Sequence, residues 1–310
     1  MDFRQLRTFA CVAELGSLSK ASDTLRVAQP ALSRQIKLLE HELRTELFTR
    51  NGRGMVLTDA GRLLLARTSG IVRQIDQIRD DIQSAGGAPS GRVVLGLVPT
   101  VSCVLSARLA RRTVERYPGI SLCIVESYSG HLIEWLHRGE MDLAVIYGPS
   151  VDLHLAVQSL GRDSIVAVGP RGSGLKQKKQ VDFGWLMRQR LVLPSHSHGL
   201  RALLEHAAAR KKIDLDVKLE ADSFRVLTSL VEEGLGYTML PPSSVRSEVA
   251  EGRLETAPIA RPAPRRELTL ASPVEHPGSN AMTLIAKLLR DEVARSEERR
   301  VGKECRSRWS

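Results

Sequence analysis

Aromatic residues make up only 4% of the 310-residue chain. Recognition of RNA or single-stranded nucleic acid leans on aromatic faces against which bases stack, so that mode has little to work with here. The four cysteines, Cys11, Cys103, Cys123 and Cys305, are far apart and form neither a CxxC pair nor a Cys/His cluster. A zinc site and a disulfide framework are therefore not indicated, and the thiols read as small apolar fillers. No stretch approaches the roughly 18 uninterrupted apolar residues of a membrane-spanning helix. The opening MDFRQLR is charged from the start and lacks the apolar core and cleavage site of a secretory signal, so the chain is expected to stay in the cytoplasm. Catalytic signatures are missing too: there is no GxSxG, HExxH or GK[ST] P-loop. Ser195, His196, Ser197 and His198 form a suggestive cluster, but no carboxylate or third metal ligand lies near them in sequence. Neither an enzyme nor a metal or cofactor is expected.

What remains is an ordinary globular composition, 42% hydrophobic and 26% charged, in a chain long enough for about two domains of roughly 150 residues. The net charge of +10 hints at a polyanionic partner, but only +3 of it falls in residues 1–90. Placement therefore matters more than the total.

In the first sixty residues Leu6, Phe9, Ala10 and Ala13 recur at helical spacing, and Gly16 with Ser17 ends the helix. A short second helix, capped by Ser17 or Ser19, carries Leu18, Ala21 and Leu25 on one face. A third has Pro30 in its first turn and buries Leu32, Ile36, Leu39 and Leu43. Its opposite stripe holds Pro30, Ser33, Arg34 and Lys37, with Gln29 at the N-terminal end. The default for a charged stripe is a solvated face. A short helix, tight turn and capped third helix in this order instead predict a helix-turn-helix, whose last helix enters the major groove of double-stranded DNA. There Gln pairs bidentately with adenine and Arg with guanine, while Ser reaches base or phosphate and Lys phosphate. Two apolar runs, 47–49 and 55–57, flank Arg50, Asn51, Gly52, Arg53 and Gly54, a hairpin signal. Arg50 and Arg53 at its tip would reach a flanking phosphate or a narrow minor groove.

Thr58 is placed to cap a long helix ending at Gly86 and Gly87. Leu64, Thr68, Ile71, Ile75, Ile78 and Ile82 alternate by four and three, a short heptad seam with one polar interruption. Pairing of two chains along it would let two modules read two half-sites; a buried helix within one chain is the alternative.

From residue 91 short apolar runs at 93–98, 122–125, 143–147, 165–168, 191–193, 237–240 and 268–271 alternate with helical stretches, which predicts an α/β domain with mostly parallel sheets. Ligands in such sheets bind beyond the strand ends, and three of those ends carry hydroxyls: 99–102, 127–130 and 194–198. Any single serine there is as readily a helix cap.

The segments LRTF at 6–9, GSLSKAS at 16–22, AQPALSRQI at 28–36 and LTDAG at 57–61 resemble the winged helix-turn-helix of LysR-type transcriptional regulators, with Ser22 where that family usually has alanine. GEMDLAV at 139–145 and EGLGYTMLP at 233–241 resemble the family's effector region, which is similar to type 2 periplasmic binding proteins. VLGLVP at 94–99, Ser129 with Gly130, and IYG at 146–148 look closest to the nitrogen assimilation control branch.

The resemblance implies a multidomain α+β and α/β chain. It has a winged unit at 1–60, a linker helix at 58–90 and an effector domain at 91–294, divided into 91–161 plus 266–294 and 162–265. It adds Ser19 and Lys20 to the DNA-facing set, and places Thr100, Ser102, Ser129, His196 and Phe224 near the effector cleft. It also implies a homodimer or homotetramer on an interrupted palindrome and regulation by RNA polymerase contact or occlusion. The hydroxyls at helix starts suit a small carboxylate or other anion, so a small anionic metabolite is expected as effector, and no membrane is expected. A solute-binding protein is the rival reading; it would account for the larger part but not for the N-terminal module. The stretch RSEERRVGKECRSRWS at 295–310 resembles translated sequencing-adapter read-through and is expected to be foreign to the native chain.

Overall fold

The computed structural model describes residues 1–52, 54–84, 87–148, 154–196, 198–260, 263, 265–274 and 278–306, with backbone alone at 50, 77, 80, 81, 83, 84 and 296–306. Helix α1 (Phe3–Leu15) starts at a reciprocal capping box: Asp2 accepts the Gln5 N–H at 2.8 Å and Gln5 accepts the Asp2 N–H at 2.8 Å. It ends on Gly16, at φ 62°. Ser17 caps α2 (Leu18–Leu25), left-handed Arg26 turns the chain, and α3 (Gln29–Leu43) follows with Pro30 in its first turn. Phe9, Val12, Leu18, Ala21, Leu32, Ile36 and Leu39 close one core. Leu43, expected in that stripe, is 38% exposed because it lies in the last turn of α3.

Strands β1 (Phe48–Asn51) and β2 (Gly54–Leu57) pair antiparallel with Asn51 opposite Gly54, so the wing turns in two residues. The Met55 N–H donates to the Gly16 carbonyl at 2.9 Å and pins the wing to the α1–α2 turn. A side chain at Gly54 would meet that carbonyl at 2.5 Å.

Thr58 accepts the Gly61 N–H at 3.0 Å and caps α4 (Asp59–Ser84). The seam divides. Leu64 packs into the winged unit's own core and Thr68 is buried, whereas Ile71, Ile78 and Ile82 are 47%, 56% and 71% exposed. Packing against α1, with Arg79 over the Phe3 ring and Arg7 3.6 Å from Asp76, occupies another face of the helix.

The larger part begins with β3 (Ser90–Leu97), α5 (Pro99–Arg116), β4 (Gly119–Glu126), α6 (Ser129–His137), β5 (Leu143–Tyr147) and β6 (Leu155–Ser164). A second lobe follows: β7 (Val166–Pro170), α7 (Phe183–Met187), β8 (Leu191–Leu193), α8 (Gly199–Arg210), β9 (Val217–Glu220), α9 (Phe224–Glu232), β10 (Thr238–Leu240), α10 (Arg246–Ala250) and β11 (Leu254–Pro258). The chain then returns through β12 (Arg265–Pro273) to α11 (Asn280–Arg306), which buries Ala281, Ile285, Leu288, Leu289 and Val293 among its described side chains. The first sheet has the order β4-β3-β5-β12-β6 and the second β10-β7-β11, with β8 and β9 as a separate parallel pair.

The five-stranded sheet is mixed and the three-stranded one antiparallel, which corrects the expectation of mostly parallel sheets. Among the described strands β3–β4, β3–β5 and β8–β9 pair in parallel, whereas β12 runs antiparallel to β5 and β6, and β7 antiparallel to β10 and β11, because the chain crosses between the lobes and returns. β6 continues to Ser164, opposite Arg265, so the first crossing lies three residues beyond the expected 161.

The linker helix docks on the first lobe. Arg73 pairs with Asp142 and donates to the Glu140 carbonyl, and Asp142 accepts the Val94 N–H at 2.7 Å. At the crossing point Gly70 faces Gly139: a Cβ on Gly139 would lie 2.7 Å from the Gly70 Cα.

Candidate DNA-binding face and effector cleft

On α3 the buried stripe fixes which way the polar one points. Gln29, Pro30, Arg34 and Lys37 are exposed, as are Ser19 and Lys20 at the start of α2, while Ser33 is half-buried beside a hollow between α3 and the wing. Neither Arg34 nor Lys37 has an ion-pair partner among the described residues, so both cations are available to a polyanion. The neighbouring polar groups are spent inside the fold: Gln35 accepts the Thr8 hydroxyl, and Glu40 accepts the Leu47 and Phe48 N–H groups at 2.9 and 3.3 Å. Arg53 lies outside the described residues, and Arg50 is described by its backbone alone.

The two lobes flank a cleft that is open to solvent. The hydroxyl-bearing strand ends converge on it. Thr100 comes from the first turn of α5 and Ser129 from the start of α6; Phe224, at the start of α9, faces them. Two expected residues lie elsewhere. Ser102 is buried within α5 and does not line the cleft. His196 sits on the second lobe's surface, 2.9 Å from Glu205 and 3.8 Å from Glu220, in a cluster around buried Arg201. Two residues further along, His198 takes the lining position; Ser197 between them is outside the described residues.

The polar lining is ordered by Tyr147, Tyr128, His198, Asp222 and Arg266, which the sequence motifs did not single out as ligand contacts. The Tyr147 hydroxyl donates to Asp163 at 2.9 Å, leaving its lone pair for the Thr100 hydroxyl at 2.9 Å, and the Tyr147 N–H donates to Ser129 at 3.1 Å. Burial pushes the Tyr147 phenol well above its ordinary value. The Arg266 guanidinium lies over the Tyr147 ring at 3.6 Å. His198 accepts the Leu200 N–H on Nδ1 at 3.1 Å, which puts its proton on Nε2. Burial, helped by Arg266 and partly opposed by Asp222, lowers it to about 4, so the ring is neutral at physiological pH. Tyr128 stands edge-on to that ring at 4.5 Å, its phenol raised to about 12 by burial and by Asp222 and Glu126. Asp222 accepts the Ser195 N–H at 2.9 Å, a bond that holds its carboxyl below the usual range.

Nothing in this arrangement is a nucleophile–base pair. Cys103 is a free, exposed thiol, and among the described residues no group of three His, Cys, Asp or Glu is placed to hold a metal. No described helix is long and apolar enough to cross a membrane.

A winged helix-turn-helix carried on a long helix and joined to a two-lobed ligand cleft defines a ligand-responsive DNA-binding regulator. Comparison with known families gives the particular group. Residues 3–62 match the bacterial regulatory helix-turn-helix protein model of the lysR family, and 86–294 match the LysR substrate binding domain. The chain belongs to the LysR family of transcriptional regulators. The nitrogen assimilation regulatory protein nac of Escherichia coli is 32% identical over 80% of each chain. The HTH-type transcriptional regulator BbuR of Bordetella bronchiseptica is 31% identical over 98% of this chain and 92% of that protein. Among solved structures, a full-length OxyR variant from Pseudomonas aeruginosa superposes with a TM-score of 0.74 at 25% identity, covering 94% of both chains. CbnR in complex with its target DNA gives 0.68 at 19% identity over 94% of this chain and 100% of that one, a likeness of fold. The relatives are regulators, and the protein is a DNA-binding transcriptional regulator with a ligand-binding domain, not an enzyme.

Proposed function

We propose that the protein acts in the cytoplasm as a homodimer or homotetramer. It reads an interrupted palindrome, responds to a small anionic metabolite in the cleft, and sets transcription by contacting or occluding RNA polymerase. The supporting observation is the free, exposed pair Arg34 and Lys37 on the same helix face as Gln29, in a chain that also carries the two-lobed cleft. In this reading Gln29 and Arg34 read base edges, Ser33 reads base or phosphate, and Pro30 sets the close approach of the helix. Ser19, Lys20, Lys37 and the wing's Arg50 and Arg53 hold phosphates. The exposed Ile71, Ile78 and Ile82, with half-buried Ile75, form the pairing seam, while Leu64 anchors it to the winged unit. Residues 1–60, 58–90 and 91–294 act as reader, linker and sensor.

A ligand shifts such a system only by binding one arrangement of the lobes better than the other. Sequencing the DNA fragments retained by purified protein, with and without candidate metabolites, tests the reading. Enrichment of a two-fold symmetric site whose occupancy changes with one metabolite is expected; retention without sequence preference would overturn it.

A further inference from the structure

Arg266 is the one lining residue whose charge the fold leaves unanswered. It is 7% exposed, and its Nε and Nη2 are buried without a hydrogen-bond acceptor among the described residues. Buried guanidinium groups ordinarily meet carboxylates, because a desolvated cation with empty donors is unfavourable. Asp163, its register partner on β6, takes the Tyr147 hydroxyl instead, and Asp222 across the cleft takes the Ser195 N–H. The Tyr147 ring packs against one side of the guanidinium, its centroid 3.6 Å from Cζ, and so restricts where the group can sit.

We propose that Arg266 anchors the carboxylate of the effector, and that the effector is a small monocarboxylate with an apolar body. The proposal rests on the cleft being the effector site. A single negative charge matches a single cation, since His198 faces the same cleft as a neutral ring. A second charge on the ligand would meet Asp222 with no further cation in the lining. The planar fork of Arg suits the planar carboxylate bidentately. Much of the opposing wall is apolar, with Leu200, Phe224, Leu227 and Leu240 from the second lobe facing Val98 and Pro99 of the first. Such a ligand would hold the first lobe by its charge, through β12, and the second by its body. That gives it a differential affinity for the closed arrangement.

The test uses the full-length protein and measures melting temperature and calorimetric affinity. The probes are hexanoate, 4-methylpentanoate and phenylacetate, their primary amides, and the dicarboxylate adipate. At least one monocarboxylate is expected to bind the wild type, with its amide and adipate at least tenfold weaker. Arg266→Gln is expected to lose at least tenfold in affinity for the acid and little for the amide, with an unliganded melting temperature equal to or above wild type. Arg266→Lys, which keeps the charge without the fork, should fall between. Leu227→Trp fills the apolar wall and should abolish binding of every probe. Amides that bind as well as acids, with Arg266→Gln unaffected, would overturn the anchor and leave the cleft as the site. Binding that survives Leu227→Trp would overturn the cleft reading itself, and failure of all the monocarboxylates to bind the wild type would overturn the ligand class.

Discussion

Arg34 and Arg266 carry the same group in opposite settings. Arg34 stands on one exposed helix face, its charge solvated, and holding it there asks nothing of the fold. Arg266 is enclosed by strand ends and helix starts from both lobes, its charge desolvated and two of its nitrogens unpaired. The reader is thus a surface added to a finished core, while the sensor is part of the core it sits in. A change at the first should alter recognition without altering stability; a change at the second should alter both.

The largest expected effect removes the support of the reader. Leu39 is fully buried at the centre of the winged unit's core, so Leu39→Ala should cost about 2–5 kcal/mol there and abolish operator binding. Denaturant unfolding followed by far-UV circular dichroism, with a DNA-binding assay beside it, reads both. Next comes the joint between the two regions. Gly139 has φ 67° and its Cβ would meet Gly70 at 2.7 Å, so Gly139→Ala combines backbone strain with a clash against the linker helix. It should destabilise by more than about 1 kcal/mol and change ligand coupling, seen as a lower melting temperature and a smaller effect of effector on operator affinity.

A smaller effect separates the regions by pH. His198 titrates at about 4 when folded against 6.5 in the open chain. Between those values the unfolded state binds the extra proton, so this contribution is fully present above about 6.5 and is lost as pH falls toward about 4. Melting temperatures across that window should fall less steeply for His198→Gln than for wild type, while operator affinity of the two proteins at pH 7 to 8 stays alike. A parallel fall for both proteins would remove His198 from the account.

The same contrast governs how much was legible. The capped helices, the hairpin of the wing and the exposed stripe of α3 are local: each follows from residues within a few turns, where periodicity and turn residues report the structure directly. The strand-end hydroxyls Thr100 and Ser129 were legible as candidates because helix starts in α/β units gather at one side of a sheet. Arg266 was not, since it lies between Arg265 and Glu267, outside the apolar run at 268–271, and is buried where β12 pairs with β6 and packs on Tyr147. β6 was missed for a related reason. Its residues are mostly half-buried or exposed, so LAVQSLGRDS at 155–164 lacks a continuous apolar run. His196 and His198 lie two apart on one loop, and the cap that His198 makes to Leu200 turns it toward the cleft while His196 faces the Glu205 and Glu220 carboxylates.

The most direct test measures stability and DNA affinity together for Arg34→Ala and Lys37→Ala, on a selected operator and on random duplex across a salt series. Both variants should melt within about 0.5 kcal/mol of wild type. Arg34→Ala should lose about 1–3 kcal/mol on the operator and relax preference at one base position, with much less loss on random DNA. Lys37→Ala should weaken both DNAs alike and flatten the salt slope by about one unit. Equal loss on both DNAs for Arg34→Ala, or a drop in stability comparable to that of a core substitution, would contradict an exposed reader set on an independent fold.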